Sequence, residues 1–220
     1  MHELARLYNA STDSADYAAR YIDRVQTLLA GLDPTVVAQI VDVMHHACSK
    51  GRMLYFMANG GSGAIASHWV NDLVAGAYVE GVPAFRAYAL SDNVPSLTAI
   101  ANDRGYDEVF AQQLHGRMQP GDVVIALSVS GNSPNILRGL EVARAQGAVC
   151  IGLCGLDGGA LPDHCDIVLH VPTSPDEYGP VEDAFGVVAH MVTGWLTMRR
   201  GRWLHHEPPT NGKHGAHVDP

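Results

Sequence analysis

The chain contains the segment Val123-Val124-Ile125-Ala126-Leu127-Ser128-Val129-Ser130-Gly131-Asn132-Ser133-Pro134-Asn135, in which an apolar run leads into a hydroxyl-rich turn and then a helical pattern. This order predicts a buried strand that runs into the N-terminus of a helix. The unpaired backbone N–H groups and the positive end of the helix dipole favour an anion such as phosphate at that point. Ser128, Ser130 and Ser133 can add hydroxyl donors to such a site.

A second turn of the same kind lies about 70 residues upstream. The apolar run 53–57 leads into Asn59-Gly60-Gly61-Ser62-Gly63 and a helical pattern that contains His68 and Asp72. One such turn often does no more than cap a helix. Two of them predict a binding cleft, because in parallel α/β sheets ligands bind at the carboxyl ends of the strands.

The pattern around both turns alternates between strands and helices. It predicts an α/β fold with a parallel sheet covered on both faces. Two helices, over residues 1–30 and 34–49, are expected to precede the sheet, so we divide the chain into N-terminal helices at 1–50, one α/β domain at 51–202 and a disordered tail at 203–220. The predicted strands lie near 53–57, 84–89, 123–127, 149–153 and 166–171, and the helices between and after them near 62–78, 93–101, 106–116, 133–146 and 181–199.

Composition argues against several classes of partner. Lys and Arg number 14 against 23 Asp and Glu, giving a net charge of −9, and no basic run could follow a nucleic-acid backbone. We expect no membrane contact and a cytoplasmic location, because the chain has no apolar segment of membrane-spanning length and no signal peptide. The cysteines are expected in the core rather than as metal ligands, and the tail histidines to bind metal weakly at most; these residues are Cys48, Cys150, Cys154 and Cys165, and His205, His206, His214 and His217.

Two pairs of ionisable residues are candidates for the chemistry. His68 and Asp72 stand four apart on one predicted helix, and Glu182 and His190 stand eight apart on the last one, so each pair shares a helix face. Together they could hold Zn²⁺ or a similar ion, or supply an acid and a base. The spacing alone favours a simpler arrangement, in which His68 bonds Asp72 within its helix and His190 is a core residue, because pairs within one helix are common.

The motifs, taken in order, resemble the SIS (sugar isomerase) family, close to its bacterial phosphoheptose isomerases, over about residues 5–200. The resemblance is carried by NGGS at 59–62, HWVND at 68–72, SD at 91–92, ANDRGY at 101–106, SVSGNS at 128–133, the glycines of 155–159, VP at 171–172 and the final helix with its histidine at 190.

This resemblance implies a five-stranded flavodoxin-like sheet with extra N-terminal helices, a homotetramer with active sites at subunit contacts, and isomerisation of sedoheptulose 7-phosphate to an aldose heptose 7-phosphate. It implies that the phosphate is bound by the turn at 128–133, with Gly61 and Ser62 of the first turn. It also implies that Asn59 and Asp103 line the sugar chain, and that one Zn²⁺ occupies each active site.

The chain departs from the family pattern at three site positions. Where phosphoheptose isomerases carry Glu on the first active-site helix and Gln on the last, this chain has Asp72 and Glu182, and Val129 replaces a Thr of the phosphate turn. His68, Asp72, Glu182 and His190 can still all ligate a divalent cation. Asp72, Glu182 and His190 are the candidate proton-transfer residues.

Two other functions fit the same features. The swaps at Asp72 and Glu182 leave open an isomerase for a different phosphosugar. A non-catalytic SIS-fold protein that binds a protein partner, like the replication initiator-associating relatives, is the second alternative. Those relatives lack the acidic residue of the first helix and the final-helix histidine, whereas Asp72 and His190 are present here, which favours the enzyme.

Overall fold

The computed structural model describes residues 2–203 and shows an α/β sandwich of three layers. Three helices precede the first strand, and the described part of the chain then alternates between strands and helices up to a long final helix. The elements are α1 Glu3–Ala10, α2 Ser14–Ala30, α3 Pro34–Ser49, β1 Met53–Ala58, α4 Gly60–Asn71, β2 Arg86–Ala89, α5 Val94–Arg104, α6 Ala111–Leu114, β3 Val123–Ser128, α7 Pro134–Ala145, β4 Val149–Cys154, β5 Ile167–His170 and α8 Tyr178–Arg199.

The five strands form one parallel sheet in the order β2-β1-β3-β4-β5. This order is flavodoxin-like and confirms the predicted fold class. Side chains alternate across the sheet: Leu54 and Phe56 of β1 pack into the core on the side of α3, α4 and α8, whereas Tyr55 and Met57 pack on the side of α6 and α7. Because β1 and β3 are neighbours, the two hydroxyl-rich turns follow adjacent strands at one edge of the sheet.

The N-terminal prediction was wrong in one respect, because residues 1–30 do not form a single helix. The chain leaves helical geometry at Ser11 and re-enters it at Ser14. The carboxylate of Asp13 accepts hydrogen bonds from the N–H groups of Ala15 and Asp16, and this N-cap starts a new helix. The region predicted as a helix at 106–116 likewise contains only a short 3₁₀ turn at Tyr106–Glu108 and the single turn α6.

The cysteines lie where the sequence placed them, in the core. Cys48, Cys150 and Cys154 are buried and Cys165 is half-buried, all four as free thiols. Burial raises the pKa of Cys154 to about 11 and that of Cys150 to about 12, so both stay protonated and pack as small apolar groups.

Among residues 2–203, no single helix is long and apolar enough to cross a bilayer. The bent pair formed by α2 and α3 passes the same test only by combined length and composition. The predicted tail and its four histidines lie outside the described residues, apart from Trp203.

Candidate active site

The first turn presents the N-terminus of α4 at the end of β1. Gly60 opens the helix at a φ of 52°, a conformation that favours glycine. Asn59, the residue before it, does not cap the helix with its side chain. Its amide instead exchanges two hydrogen bonds with the amide of Asn135, at 2.9 and 2.8 Å, and accepts a third from the hydroxyl of Tyr106. The Asn59–Asn135 pair therefore ties the two turns together.

The second turn is held tightly against the loop that follows β4. Gly131 has a φ of 63°, and a Cβ at this position would stand only 1.8 Å from the carbonyl oxygen of Gly158, so only glycine fits. Ser133 immediately precedes α7 but does not cap it with its side chain. Its hydroxyl lies 3.4 Å from the hydroxyl of Ser128. The turn thus directs hydroxyl groups towards the first turn.

Together the two turns enclose a cavity of about 260 Å³, which we call the serine cavity. The first residues of α4, the residues just before α7 and four serines border it, and within residues 2–203 no Lys or Arg is among the lining residues. An anion bound here would be recognised by hydrogen bonds and helix dipoles rather than by a cationic side chain. The lining residues are Asn59, Gly60, Gly61, Ser62, Leu127, Ser128, Val129, Ser130, Ser133, Tyr178 and Glu182.

A carboxylate from α8 also enters the serine cavity. One oxygen of Glu182 accepts a hydrogen bond of 2.9 Å from the hydroxyl of Ser62. The other lies so close to Gly61 that a Cβ there would stand 2.4 Å from it. Glu182 therefore places a negative charge at the N-terminus of α4, where the helix dipole favours an anion.

A second group of polar side chains lies at the other end of α4. His68 Nε2 lies 3.4 Å from Oδ2 of Asp72. His190 Nε2, from α8, lies 3.7 Å from the same oxygen. The two imidazole rings meet edge to face, with their centroids 5.1 Å apart. The helices α4 and α8 thus bring together three of the four residues that the sequence proposed.

Burial distinguishes these three residues. The carboxylate of Asp72 is almost fully buried, whereas more than half of each imidazole, His68 and His190, is exposed. His190 is therefore not the core histidine that its spacing also allowed. Asp72 begins a π-helical turn, Asp72–Gly76, a deviation often found at functional sites. An open, solvated pair of imidazoles on a buried carboxylate can exchange protons with a bound molecule.

The same three residues form a donor set that fits a divalent metal. Two imidazole nitrogens and one carboxylate oxygen lie within 4.8 Å of one another. Three nitrogen and oxygen ligands with an open side are typical of catalytic zinc sites, in which tetrahedral ligands stand about 3.3 Å apart. Glu182 is not in this group as the structure describes it, since its carboxylate points to Ser62.

The remaining predicted residues are divided between the cavity and the surface. Val129 is buried and lines the serine cavity. Asp103 is exposed near the end of α5, where its carboxylate accepts a hydrogen bond from Asn102, and it does not line the cavity. Three further residues of the site were not predicted from the sequence, although one of them stands inside the segment 123–135; they are Asn135, Tyr106 and Tyr178.

Comparison with known proteins identifies the family. Residues 16–155 match the SIS domain model. The chain is 41% identical over 138 residues to the phosphoheptose isomerase of Trichlorobacter lovleyi, covering 63% of this chain and 70% of that protein. It is 40% identical over 164 residues to that of Bradyrhizobium sp. strain BTAi1, covering 74% and 80%.

A solved structure agrees with these matches. A phosphoheptose isomerase from Francisella tularensis superposes with a TM-score of 0.78 at 27% identity, over 85% of this chain and all of that one. The fold, the order of the motifs and these relatives lead to one conclusion: the chain belongs to the SIS-domain family and resembles its phosphoheptose isomerases.

Proposed function

We propose that this protein is an aldose–ketose isomerase that converts sedoheptulose 7-phosphate to D-glycero-D-manno-heptose 7-phosphate through an enediol. The observation that carries the proposal is that α4 begins at the serine cavity and ends at the His68–Asp72–His190 group, to which α8 contributes His190. Its relatives at 35–41% identity are named phosphoheptose isomerases, which supports the same activity.

The spacing of the two groups suits a seven-carbon chain. Ser62 and His68 are six residues apart on α4, which corresponds to about 9 Å along the helix axis. In an extended heptose phosphate, bonds of about 1.5 Å place the reacting carbons roughly 10 Å from the phosphorus. With the phosphate in the serine cavity, C1 and C2 of the ketose would therefore reach the imidazoles, whereas a three-carbon sugar phosphate would fall short.

The reaction requires a group that moves a proton between neighbouring carbons. A base removes a proton from C1, the enediol forms, and the proton is delivered to C2 while the hydroxyl hydrogen of O1 is lost and O2 gains one. We assign this role to Asp72 and His190, because they lie together and His190 is accessible to a ligand. Glu182 is the alternative base, since it lines the cavity from the same helix as His190.

We propose Zn²⁺ as the cofactor, held by His68, Asp72 and His190, with Glu182 as a further candidate ligand from the sequence. Bound there, the metal would polarise the substrate carbonyl. The protein's own residues would move the proton, and Asp72 would also orient both imidazoles, because one of its buried oxygens approaches each of them.

The oligomeric state, location and domain boundaries are further parts of the proposal. A homotetramer is supported by apolar side chains that remain exposed, including Tyr8 and Ile22 on the N-terminal helices and Trp195 on α8. A cytoplasmic location agrees with four free thiols. Residues 1–50 would serve assembly and 51–202 would form the SIS domain.

The proposal is tested by following sedoheptulose 7-phosphate and a panel of other ketose phosphates by mass spectrometry and NMR, with and without added Zn²⁺. We expect the aldose heptose 7-phosphate as product. Turnover of a shorter ketose phosphate alone would identify an isomerase for another sugar. An absence of turnover for the whole panel would favour the non-catalytic binding protein.

A further inference from the structure

A second cavity, far from the serine cavity, lies at the amino ends of strands β1, β2 and β3. It has a volume of about 400 Å³, within the range of small-molecule sites. Met53 begins β1 beside this cavity, whereas Ala58 ends the strand beside the serine cavity, so the two sites are about 16 Å apart along β1. We call it the basal cavity; its lining residues are Gly51, Met53, Tyr55, Arg86, Tyr88, Arg117, Gln119 and Asp122.

Strand register explains why the basal cavity has an aromatic wall. Tyr55 of β1 lies directly beside Tyr88 of β2, and Met53 lies beside Arg86. Residues in register on neighbouring parallel strands, two apart along each strand, point to the same face of the sheet. The two tyrosines and Arg86 therefore share one face of the sheet. The loop that follows α6 carries Arg117, which also lines the cavity.

The charges around the basal cavity are unusual for a chain with a net charge of −9. Arg86 and Arg117 line it, and Arg52 borders it through a contact of 3.4 Å with the side-chain oxygen of Gln119. Within residues 2–203, none of the three forms an ion pair with a carboxylate. Arg86 donates one hydrogen bond to the carbonyl oxygen of Gly51, at 2.9 Å, and Arg52 contacts Gln119, so each guanidinium group still has N–H donors for an anion.

The carboxylate of Asp122, the acidic residue in the lining, is bonded to the backbone rather than to an arginine. Its buried carboxylate accepts hydrogen bonds from the N–H groups of Met53, at 2.9 Å, and Gln119, at 2.8 Å. These bonds fix the loop before β3 to the start of β1. Burial and Asp122 together raise the pKa of Tyr55, and Arg117 and Arg86 act against this rise, as expected if both guanidinium groups lie near its hydroxyl.

We propose that the basal cavity binds a phosphorylated metabolite that contains a flat ring, such as a nucleoside monophosphate. Guanidinium groups bind phosphate oxygens through paired hydrogen bonds, so Arg86 and Arg117 would hold the phosphate. The cavity is several times larger than a phosphate alone requires, and Tyr88, which is half-buried, offers a ring for contact with the body of the ligand. This site is independent of the isomerase activity proposed above.

The test uses AMP and inorganic phosphate as probes in calorimetric titrations of the full-length protein. The background carries Ser130→Ala and Ser133→Ala, which weaken binding to the serine cavity. We expect this variant to bind AMP at least tenfold more tightly than inorganic phosphate. Arg86→Gln together with Arg117→Gln should raise the Kd for AMP at least tenfold.

The matched control removes two charges elsewhere, with Arg20→Gln and Arg138→Gln, and should change the Kd less than twofold. Arg117→Gln alone, in an exposed loop outside the strands, provides a variant with little risk to folding and should weaken AMP binding at least threefold. AMP binding that is absent, that equals phosphate binding or that is unaffected by the arginine substitutions would overturn the proposal.

Discussion

At the scale of single residues, Glu182 distinguishes this site most clearly. Its carboxylate occupies the N-terminus of α4 and accepts a hydrogen bond from Ser62, where the substrate phosphate is proposed to bind. Two anions cannot share this space without repulsion, so Glu182 must turn aside or lower the affinity for phosphate. The resemblance to phosphoheptose isomerases implies a neutral Gln at this position.

Glu182→Gln should therefore tighten the binding of inorganic phosphate to the serine cavity. Unit charges about 4 Å apart in water repel by about 1 kcal/mol, which corresponds to at least about a fivefold change in Kd. Calorimetric titration at pH 7 measures the Kd for inorganic phosphate. Glu141→Gln, on the outer face of α7, is the control for the loss of one charge. Phosphate affinity that is unchanged or weaker in Glu182→Gln would contradict this account of the cavity.

Removing the serine hydroxyls should have the opposite effect and weaken the binding of phosphate. Ser130→Ala combined with Ser133→Ala should raise the KM for the phosphosugar at least about tenfold and change kcat less, since one hydrogen bond to a charged group contributes roughly 1.5–3 kcal/mol. Ser49→Ala, at the end of α3 and outside the cavity, should leave KM unchanged. An unaltered KM in a folded double variant would show that the phosphate binds elsewhere.

At the scale of elements, α8 serves both the site and the scaffold. Its N-terminus is tied to α2 through Glu177, which is fully buried and accepts two hydrogen bonds from Arg24, at 2.6 and 3.0 Å. Ser174 donates two more. Burial raises the pKa of Glu177, but the hydrogen bonds from Arg24 and Ser174 outweigh it, so that the pKa lies below its ordinary value.

The sign of this shift predicts a stability effect in acid. A lowered folded-state pKa stabilises the protein above the unfolded value of about 4.3, and this contribution is lost as the pH falls through the folded value. Glu177→Gln should cost about 2–4 kcal/mol at pH 7, because Arg24 loses its buried partner. The free energies of unfolding of wild type and variant, measured by denaturant melts, should converge as the pH falls below about 4. Asp16→Asn, in an exposed pair with Arg20, should change the stability much less, and equal losses of stability in the two variants would refute the assignment.

At the scale of the whole molecule, apolar side chains remain on the surface of a chain with a well-filled core. Met191, Trp195 and Met198 follow helical spacing along α8 and are 43%, 60% and 61% exposed, next to His190. Of the residues in α1 and α2, only Leu7 and Leu28 are buried. These surfaces would be covered in the proposed homotetramer, which would also bring subunit contacts close to the active site.

Light scattering after size exclusion should therefore give four times the chain mass of 23.5 kDa at micromolar concentration. Trp195→Lys should shift the protein to smaller species, because a charge buried in an apolar contact is costly. Glu80→Lys, which changes an exposed charge outside α1, α2 and α8, serves as the control. A wild-type protein that runs as a monomer would contradict the proposed assembly.

Much of the fold could be predicted from local pattern, whereas the details of the site could not. Runs such as Val123–Leu127 identify buried strands, and the turns after them mark the binding edge, because both signals are local. The break at Asp13 has a local signal, the polar run Ser11-Thr12-Asp13-Ser14, but apolar residues at helical spacing on both sides of it predicted one helix. The orientation of Glu182 depends on how α4 and α8 pack against each other. The basal cavity depends on which strands become neighbours in the sheet. Both are contacts between residues far apart in the sequence, so local patterns do not predict them.

The central claim, that the His68–Asp72–His190 group moves the proton, is tested most directly by kcat on sedoheptulose 7-phosphate for four variants beside wild type. We predict that His190→Ala and Asp72→Asn lose at least about a hundredfold in kcat, that Asp72→Glu retains activity, and that Glu182→Gln stays within tenfold of wild type. Loss of activity in Glu182→Gln with activity kept in Asp72→Asn would make Glu182 the base instead. If all four variants turn over like wild type, or wild type isomerises no phosphosugar, the claim is wrong.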